Sequence, residues 1–368
     1  MAVASPVELA GGPVALGTQH GAALGANIRI NCDKFLRSSE QIFGTPYQRI
    51  RSNVDILLHF LPEEHRQEIC AVAEAAQVSY EELVALNTLL DTDTIVESEK
   101  SYCINVVAYG PATADGRLAH GRNLDFPGGG ILENTAEVFV YRPERGNAFL
   151  SVAWAGFIGA VTGMNEHGLT ATEITSRTPC VSKEGVPLMI LLRMILQYAD
   201  TIEAAIEIIR SSPRTGGFNI TLTDWRVPEA VCVEFDAEKV GIRRAQKSVL
   251  VVSENRLAAV MSKGQRLSPS GVARHIRACD LADAHYGQLT PEVMMQILRD
   301  RWDPIYRREG KSHNSLCSNH SLQSVVFLPE ESRAWVSNRH VPAPDHEYVE
   351  YRLASAAHAG EVAATPSR

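Results

Sequence analysis

The feature that most constrains the fold is a change of hydrophobic period at Cys103. Before it, residues 18–93 place apolar side chains at helical spacing, for example at Tyr47, Ile50 and Val54. After it, β-branched and aromatic runs such as CINVVAYG, AEVFVYR and GLTATEI are separated by turn residues. The sequence therefore predicts a helical first quarter, followed by a strand-rich remainder.

The remainder of the chain alternates between groups of strands and groups of helices. A pair of helices is expected near 188–199 and 201–212, followed by strand runs such as FNITLTDW and KSVLVVSEN. A second pair is expected near 270–286 and 291–301, followed by strand runs such as SVVFLPE. Mostly short, hairpin-like connections predict an α+β fold in which two stacked antiparallel sheets lie between helices, a four-layer αββα sandwich. We expect three parts: a helical segment over 1–102, the sandwich over 103–355, and a flexible tail over 356–368.

Composition excludes several classes of protein. The chain has 368 residues, of which 45% are hydrophobic and 21% charged, and its net charge is −8. Those proportions are typical of a globular protein with a large core. No cluster of Lys and Arg interleaved with aromatic residues is present, so a nucleic-acid partner is not expected. A homo-oligomer is compatible with the sequence.

The chain also lacks the marks of a secreted or membrane protein. Its N-terminus shows no basic stretch followed by an apolar stretch, so no secretory signal is predicted. The longest apolar run, at 186–196, is interrupted by Arg193 and is too short to span a bilayer. Seven cysteines without short paired spacings do not suggest a disulfide framework. We therefore expect a cytoplasmic protein with no membrane partner.

Motifs for the commonest cofactors are absent. The sequence has no G-x-S-x-G elbow, no phosphate-binding P-loop and no H-E-x-x-H zinc motif. The three glycines at 128–130 lack the spacing of a dinucleotide loop and are more often a flexible turn. Cys317 and His320 could supply two metal ligands, but a structural zinc needs four. No metal or organic cofactor is expected.

Cys103 is the main candidate for chemistry. A free cysteine is most often a buried small apolar residue, and Cys103 alone would be read that way. It stands, however, at the first position of a strand, directly behind a charged segment and at the boundary between the helical and strand-rich parts. A hairpin turning at Gly116 would bring Arg122 and Asp125 alongside it. An arginine and a carboxylate would then lie near the thiol.

Cleavage between Tyr102 and Cys103 would give that thiol a base. A new N-terminus carries an α-amine with a pKa of about 7.7 to 8.0, which can accept the thiol proton and later return it to a leaving amine. Arg122 would favour the thiolate, and Asp125 would anchor the ammonium. The position of Cys103 is therefore that of an N-terminal nucleophile before processing.

Several segments add a resemblance to a known family. Besides Cys103, they are the N-terminal glycine pattern ending in His20-Gly21, G-R-N-L-D-F at 121–126, A-G-F-I-G at 155–159 and G-M-N-E-H-G-L at 163–169. Together they resemble the N-terminal nucleophile (Ntn) hydrolases of the choloylglycine hydrolase group and, more closely, the isopenicillin N acyltransferase family. The resemblance spans nearly the whole chain. It implies an Ntn-hydrolase sandwich made as a precursor that cuts itself before the cysteine.

The resemblance also implies roles for individual residues. Cys103 would be nucleophile and, through its amine, base, with Arg122 and Asp125 flanking it. Asn255 matches the asparagine whose side-chain amide donates to the oxyanion, although a turn at a strand end also favours asparagine. Arg274 matches an arginine near the thiol of the bile-salt enzymes; otherwise it would be an exposed helix charge.

Two positions depart from that pattern. Thr175 stands where the bile-salt enzymes have an asparagine, so it could offer only a backbone N–H to an oxyanion. Tyr102 precedes the scissile bond where the penicillin enzyme has a smaller residue. Asn165 and Glu166 are expected to be structural members of the turn between two strands, with His167 exposed in it.

The resulting hypothesis is a cysteine Ntn amidohydrolase or acyltransferase that acts on a small N-acyl amide through a thioester acyl-enzyme. Residues 1–102 and 103–368 would form two chains that stay associated. The sequence does not decide between water and an amine as acyl acceptor. The alternative is a non-catalytic or unprocessed protein of the same fold that binds a small acyl or amide ligand. A papain-like protease is disfavoured because no G-x-C-W context surrounds Cys103.

Overall fold

A computed structural model describes residues 5–91, 103–176, 178–253 and 267–353. Five helices of the first segment are followed by two helices in the middle and two near the end of the described chain. In order they are α1 Pro13–Ile30, α2 Ser39–Phe43, α3 Tyr47–Leu58, α4 Glu63–Ala76, α5 Tyr80–Asn87, α6 Leu188–Tyr198, α7 Ile202–Ser211, α8 Pro269–Ala284 and α9 Pro291–Leu298. A π-helical turn, Asn31–Leu36, extends α1.

The helix starts follow local sequence signals. The side chain of Ser79 accepts a hydrogen bond from the Glu82 N–H and caps the start of α5. Thr201, Ser268 and Thr290 cap α7, α8 and α9 in the same way. The expected helices after residue 187 are therefore confirmed, with boundaries shifted by a few residues.

The larger sheet has eight strands in the order β1-β4-β5-β6-β7-β8-β9-β10. All neighbouring pairs are antiparallel except β1 and β4, which are parallel. The strands are β1 Val7–Gly11, β4 Ala136–Pro143, β5 Phe149–Trp154, β6 Thr162–Asn165, β7 Thr170–Thr175, β8 Phe218–Asp224, β9 Glu229–Phe235 and β10 Val240–Arg244.

The smaller sheet has six antiparallel strands in the order β11-β2-β3-β14-β15-β16. Its strands are β2 Ile104–Gly110, β3 Gly116–Asp125, β11 Val249–Val252, β14 Ser321–Leu328, β15 Arg333–Ser337 and β16 Val349–Arg352. A separate two-stranded hairpin is formed by β12 Trp302–Asp303 and β13 Arg308–Glu309. Gly116, whose φ of +80° suits glycine, turns the chain from β2 into β3.

The two sheets stack face to face, which confirms the four-layer arrangement. Val138 and Val140 of the larger sheet share one buried cluster with Val325 and Phe327 of the smaller sheet. The alternate residue Phe139 points away from that cluster, toward His20 of α1, at 4.9 Å between ring centroids. Helices α6 and α7 cover the outer face of the larger sheet, and α8 and α9 cover the smaller one.

The N-terminal helices pack closely on one another. A Cβ atom built on Gly17 would lie 2.3 Å from the Glu68 carbonyl oxygen, and one on Gly21 would lie 2.6 Å from the Ala75 Cβ atom. Glycines at these positions allow α1 to approach the backbone of α4. The N-terminal glycine pattern seen in the sequence therefore serves helix packing.

One element of the first quarter differs from the prediction. Val7–Gly11 is a strand that pairs with Phe139–Pro143, so the helical segment adds an edge strand to the larger sheet. The remainder of the first segment is helical as expected. Within the described ranges, no helix combines the length and apolar character needed to cross a membrane.

Candidate active site

Cys103 directly precedes β2 and is buried, with 5% of its surface exposed. The ladder between β2 and β3 pairs Asn105 with Arg122, so the end of β3 lies beside the cysteine. The Asp125 N–H points to the Cys103 Sγ at 3.4 Å, and the thiol lies 3.8 Å from the Asp125 carbonyl oxygen. The predicted hairpin therefore brings thiol and aspartate together.

Arg122 is fully buried and reaches the larger sheet. Its guanidinium donates to the Glu173 carboxylate at 3.0 Å and also to the Glu173 carbonyl oxygen. Both partners are removed from water, so each charge depends on the other for compensation. The pair joins β3 to β7 across the two sheets.

Asp125 is held by a second buried arginine. Arg274, on α8, donates to the Asp125 Oδ2 at 2.9 Å, and the Ser321 hydroxyl donates to Oδ1 at 2.6 Å. Neither charged side chain is exposed. Burial raises the pKa of the Asp125 carboxyl, and the arginine and serine donors oppose that shift. Arg274 is thus a buried partner of the site and not the exposed helix charge that its sequence context alone suggests.

Burial favours the neutral form of the Cys103 thiol. Burial raises the pKa of this thiol to about 12, and the charge of Arg122 works in the opposite direction. The buried thiol therefore needs a base close by to become a nucleophile, because charge compensation from Arg122 does not outweigh desolvation.

A largely apolar pocket opens next to the thiol. The empty space of the pocket and its open mouth together amounts to about 560 Å³. Cys103, Asp125, Glu173 and Thr175 contribute its polar part. The apolar lining residues come from both the N-terminal helical segment and the sandwich: Leu89, Leu90, Leu124, Phe126, Leu132, Trp154, Phe157, Val161 and Met189. Such a pocket suits a hydrocarbon or aromatic group placed against a nucleophile.

The loop at 155–159, which carries Phe157 into the pocket, is held by side chains of the N-terminal segment. The Asn87 amide donates to the Gly156 carbonyl at 2.9 Å and accepts from the N–H groups of Ile158 at 2.8 Å and Gly159 at 3.1 Å. Further contacts to this loop come from His20, which accepts from the Gly156 N–H, and from Asn31, which donates to the Ala155 carbonyl. The helical segment therefore shapes the pocket.

Three further residues were predicted at the site: Thr175, Tyr102 and Asn255. Thr175 ends β7 and lines the pocket. Tyr102 and Asn255 lie outside the described residues. Across the described ranges, no group of three or more His, Cys, Asp or Glu side chains is arranged to hold a metal ion.

The G-M-N-E-H-G-L segment is structural. Asn165 donates to the Leu196 and Ala199 carbonyls and accepts from the N–H groups of His167 and Leu169. The Glu166 carboxylate accepts from the Ala148 N–H. These bonds fix the turn between β6 and β7 and leave its side chains outside the pocket.

Comparison with known families decides the assignment. The family model of acyl-coenzyme A:6-aminopenicillanic acid acyl-transferase matches residues 112–340, well over half of the chain. The chain belongs to this family.

Curated relatives of this acyl-transferase family member are distant. A protein of Archaeoglobus fulgidus is 25% identical over 267 residues, covering 64% of this chain and 44% of that protein. Protein dcd1A of Dictyostelium discoideum is 28% identical over 198 residues, covering 51% of this chain and 44% of that protein. N-acylethanolamine-hydrolyzing acid amidase of Mus musculus is 24% identical over 162 residues, covering 42% of each chain. The matched regions thus span less than half of each of these relatives.

Solved structures show partial similarity. A Caenorhabditis elegans ortholog of N-acylethanolamine-hydrolyzing acid amidase has 15% identity and a TM-score of 0.46, covering 68% of this chain and 100% of that chain. A variant of the conjugated bile acid hydrolase from Clostridium perfringens has 15% identity and a TM-score of 0.42, covering 68% of this chain and 97% of that chain.

Two polar partners at the site were missed by sequence reasoning. Glu173 pairs with Arg122, and Ser321 binds Asp125. Glu173 sits within an ordinary strand run, and Ser321 follows a segment that was considered only as a weak metal site. A carboxylate inside a buried strand was the available signal for Glu173, since such a charge needs a partner.

Proposed function

We propose that this chain is a self-processing cysteine Ntn amidohydrolase or acyltransferase that acts on an amide with an apolar acyl group. The observation that carries the proposal is the position of Cys103: its thiol lies at the start of β2, beside Asp125, and faces an apolar pocket. Membership of the acyl-transferase family supports the same chemistry.

Self-processing begins with the thiol of the unprocessed chain. The Cys103 sulfur attacks the carbonyl carbon of Tyr102, and the C–N bond breaks as the nitrogen takes up the thiol proton. Water then hydrolyses the resulting thioester, which gives a Tyr102 carboxylate, a free thiol and a free α-amine at Cys103. The Asp125 carboxylate interacts electrostatically with the Cys103 thiol, and its proposed role is to stabilise the ammonium form of the new terminus.

Turnover uses the same thiol with its new base. The α-amine takes the thiol proton, the thiolate attacks the acyl carbonyl of the substrate, and the proton passes to the leaving amine. This leaves a thioester acyl-enzyme, which water resolves to an acid or an amine resolves to a new amide. Asn255 and the Thr175 N–H are the proposed oxyanion donors, and Arg122 the charge that favours the thiolate.

The pocket supports an apolar acyl group as the part of the substrate that is recognised. Its walls are mainly Leu, Phe, Trp, Val and Met side chains, and the polar residues cluster at the thiol end. The mouse relative is named for hydrolysis of N-acylethanolamines, which are amides. An N-acyl amide with a hydrocarbon acyl chain therefore suits both the chemistry and the shape of the site.

Contacts across the cleavage point support two chains, 1–102 and 103–368, that stay associated. Besides Asn87, Glu68 of α4 pairs with Arg193 of α6 at 3.2 Å, and Asp91 accepts from the Leu188 N–H and the Thr215 hydroxyl. All these groups are buried, so separating the chains would expose unpaired charges and donors. None of the seven cysteines, all of which lie in the described ranges, is part of a disulfide, which supports the proposal of a reducing, cytoplasmic setting.

Intact mass under denaturing conditions tests this proposal, comparing the wild-type protein with Cys103→Ala and with Cys70→Ala, which changes an exposed cysteine. We expect two species from the wild type and from Cys70→Ala, one of them beginning at Cys103, and one full-length species from Cys103→Ala. The wild type and Cys70→Ala should also release p-nitroaniline from octanoyl p-nitroanilide, and Cys103→Ala should not. A full-length wild-type protein without turnover would instead support a binding protein of this fold.

A further inference from the structure

The C-S-N-H-S turn at 317–321 contacts the carboxylate of Asp125. The Ser318 N–H donates to the Ser321 Oγ at 3.1 Å, and the Ser321 hydroxyl in turn donates to the Asp125 Oδ1 at 2.6 Å. Because the Ser318 N–H occupies an acceptor site on the Ser321 oxygen, the hydroxyl hydrogen is directed to the carboxylate. Both serines are fully buried.

An irregularity in the sheet puts Ser321 at this place. The ladder pairs Ser324 with Asn123 and Gln323 with Leu124, so Leu322 would come opposite Asp125 if the register continued. The register instead shifts between Ser321 and Gln323, and Ser321 pairs with Asp125. Bulges of this kind re-aim side chains and occur often beside active sites. Here the bulge replaces an apolar neighbour of the carboxylate by a hydroxyl donor.

The turn is fixed from several sides. The His320 N–H donates to the Ser318 Oγ at 3.1 Å, and the His320 carbonyl accepts from the Phe126 N–H at 2.9 Å. The Cys317 N–H donates to the Asp300 carbonyl at 2.9 Å. Ser321 is therefore presented to Asp125 by a backbone that is anchored on both β3 and the segment after α9.

We propose that Ser321, oriented by the Ser318 N–H, is a positioning residue that holds the Asp125 carboxylate for its role at the Cys103 terminus. Arg274 holds the other carboxylate oxygen, so the two donors together fix the rotation of the group. This inference rests on the proposed Ntn chemistry. It assigns to the turn a function unrelated to metal binding.

Several charged and titratable groups influence the pKa of Asp125. In the described part of the chain these are Arg274 on α8, His320 and Cys317 in the turn, and Cys103 before β2. Removing the Ser321 hydroxyl leaves all four in place. It takes away a donor to the ionised carboxylate, so the pKa of Asp125 rises and ionisation requires a higher pH.

The experiment is the pH dependence of kcat/KM for octanoyl p-nitroanilide, measured on the processed enzyme. The acid limb of this profile reports groups of the free enzyme that must be deprotonated, and the Cys103 α-amine, with a pKa of about 7.7 to 8.0, sets its position. A carboxylate that is held less firmly stabilises the ammonium form less, so for Ser321→Ala we expect the limb to move to lower pH by up to about one unit and kcat/KM above the limb to fall. Ser324→Ala is the control, because Ser324 also lies in β14 and its buried hydroxyl bonds to Asn123 and Tyr348 instead.

An unmoved acid limb in Ser321→Ala, or an equal shift in Ser324→Ala, would overturn the inference while the Ntn function stood. A wild-type enzyme with no turnover that depends on Cys103 would overturn the function itself. If Ser321→Ala does not fold, Ser321→Thr and Ser321→Val give the same comparison, since they match in shape and differ in the hydroxyl. The limb should then stay near the wild-type position only for Ser321→Thr.

Discussion

Asp125 and Arg274 form an ion pair whose two members have no contact with water. Such a pair contributes little net stability, because the cost of desolvation offsets most of the attraction between the charges. Removing only one member costs much more stability, because the other charge then remains buried without compensation. The pair is therefore more readily explained by the position it gives to the Asp125 carboxylate than by its contribution to folding.

Arg274→Gln tests how strongly the pair is coupled to the fold. We expect the free energy of unfolding to fall by about 3 to 5 kcal/mol, because Asp125 keeps only the serine donors. Arg277→Gln is the matched control on the same helix: its partly exposed ion pair with Asp300 predicts a loss of about 1 kcal/mol or less. Urea unfolding of the three proteins measures the difference, and equal losses would contradict the buried-pair interpretation.

Sequence reasoning located the residues that lie close along the chain and missed those that do not. Cys103, Arg122 and Asp125 were predicted together because one hairpin joins them. Glu173 lies 51 residues from Arg122, and Ser321 lies 196 residues from Asp125. No local pattern encodes contacts at such separations, because they depend on how the two sheets and the ladder register fit together.

At the scale of elements, hydrophobic period predicted most helices and strands because each presents one face to a core. The strand at Val7–Gly11 was missed, since its partner lies more than a hundred residues along the chain and its own run is short and rich in small residues. The bulge at Leu322 could not be predicted either. It appears only when the register of β3 and β14 is known.

The loop at 155–159 depends on α5 for its shape, and Asn87→Ala tests this. The change leaves the N–H groups of Ile158 and Gly159 and the Gly156 carbonyl without their side-chain partner. We expect a loss of about 3 kcal/mol or more in the free energy of unfolding, since three buried groups lose their partner and each costs about 1 to 3 kcal/mol.

The same variant should raise the KM for octanoyl p-nitroanilide more than it changes kcat, because the loop carries Phe157 into the pocket. Asn27→Ala, on α1, is the control, since it removes an amide that makes none of these contacts with the loop. Destabilisation without any change in KM would show that the loop keeps its shape without Asn87.

At the scale of the molecule, the helical segment and the sandwich share one core. A single buried cluster contains Leu16 and Ile69 from the first segment together with Phe139 and Leu192 from the second. Arg193 lies at the centre of their boundary, paired with Glu68 and placed 4.1 Å from the ring centroid of Tyr141. A cut at residue 102 would therefore leave this shared core intact.

Two histidines make this boundary sensitive to acid. Burial, reinforced by the charge of Arg193, lowers the pKa of both His20 and His65 to about 3. In the unfolded chain a histidine titrates near pH 6.5, so between about pH 6.5 and 3 the unfolded state binds protons that the folded state does not. The stability associated with each neutral histidine is complete above that window and is lost as the pH falls through it.

His65→Leu isolates one of these contributions, because neither ring nitrogen of His65 has a hydrogen-bond partner and leucine is close to it in size. At pH 7.5 the variant and the wild type should differ little in stability. As the pH falls below 6.5, the variant should become more stable relative to the wild type by up to about 1.4 kcal/mol per pH unit. The other titratable groups are common to both proteins, so the difference between the two isolates the histidine. Urea unfolding at four pH values about one unit apart, from about 7.5 down to about 4.5, measures the difference in free energy of unfolding between the two proteins. A constant difference would mean that His65 is charged in the folded protein and that the boundary tolerates the proton.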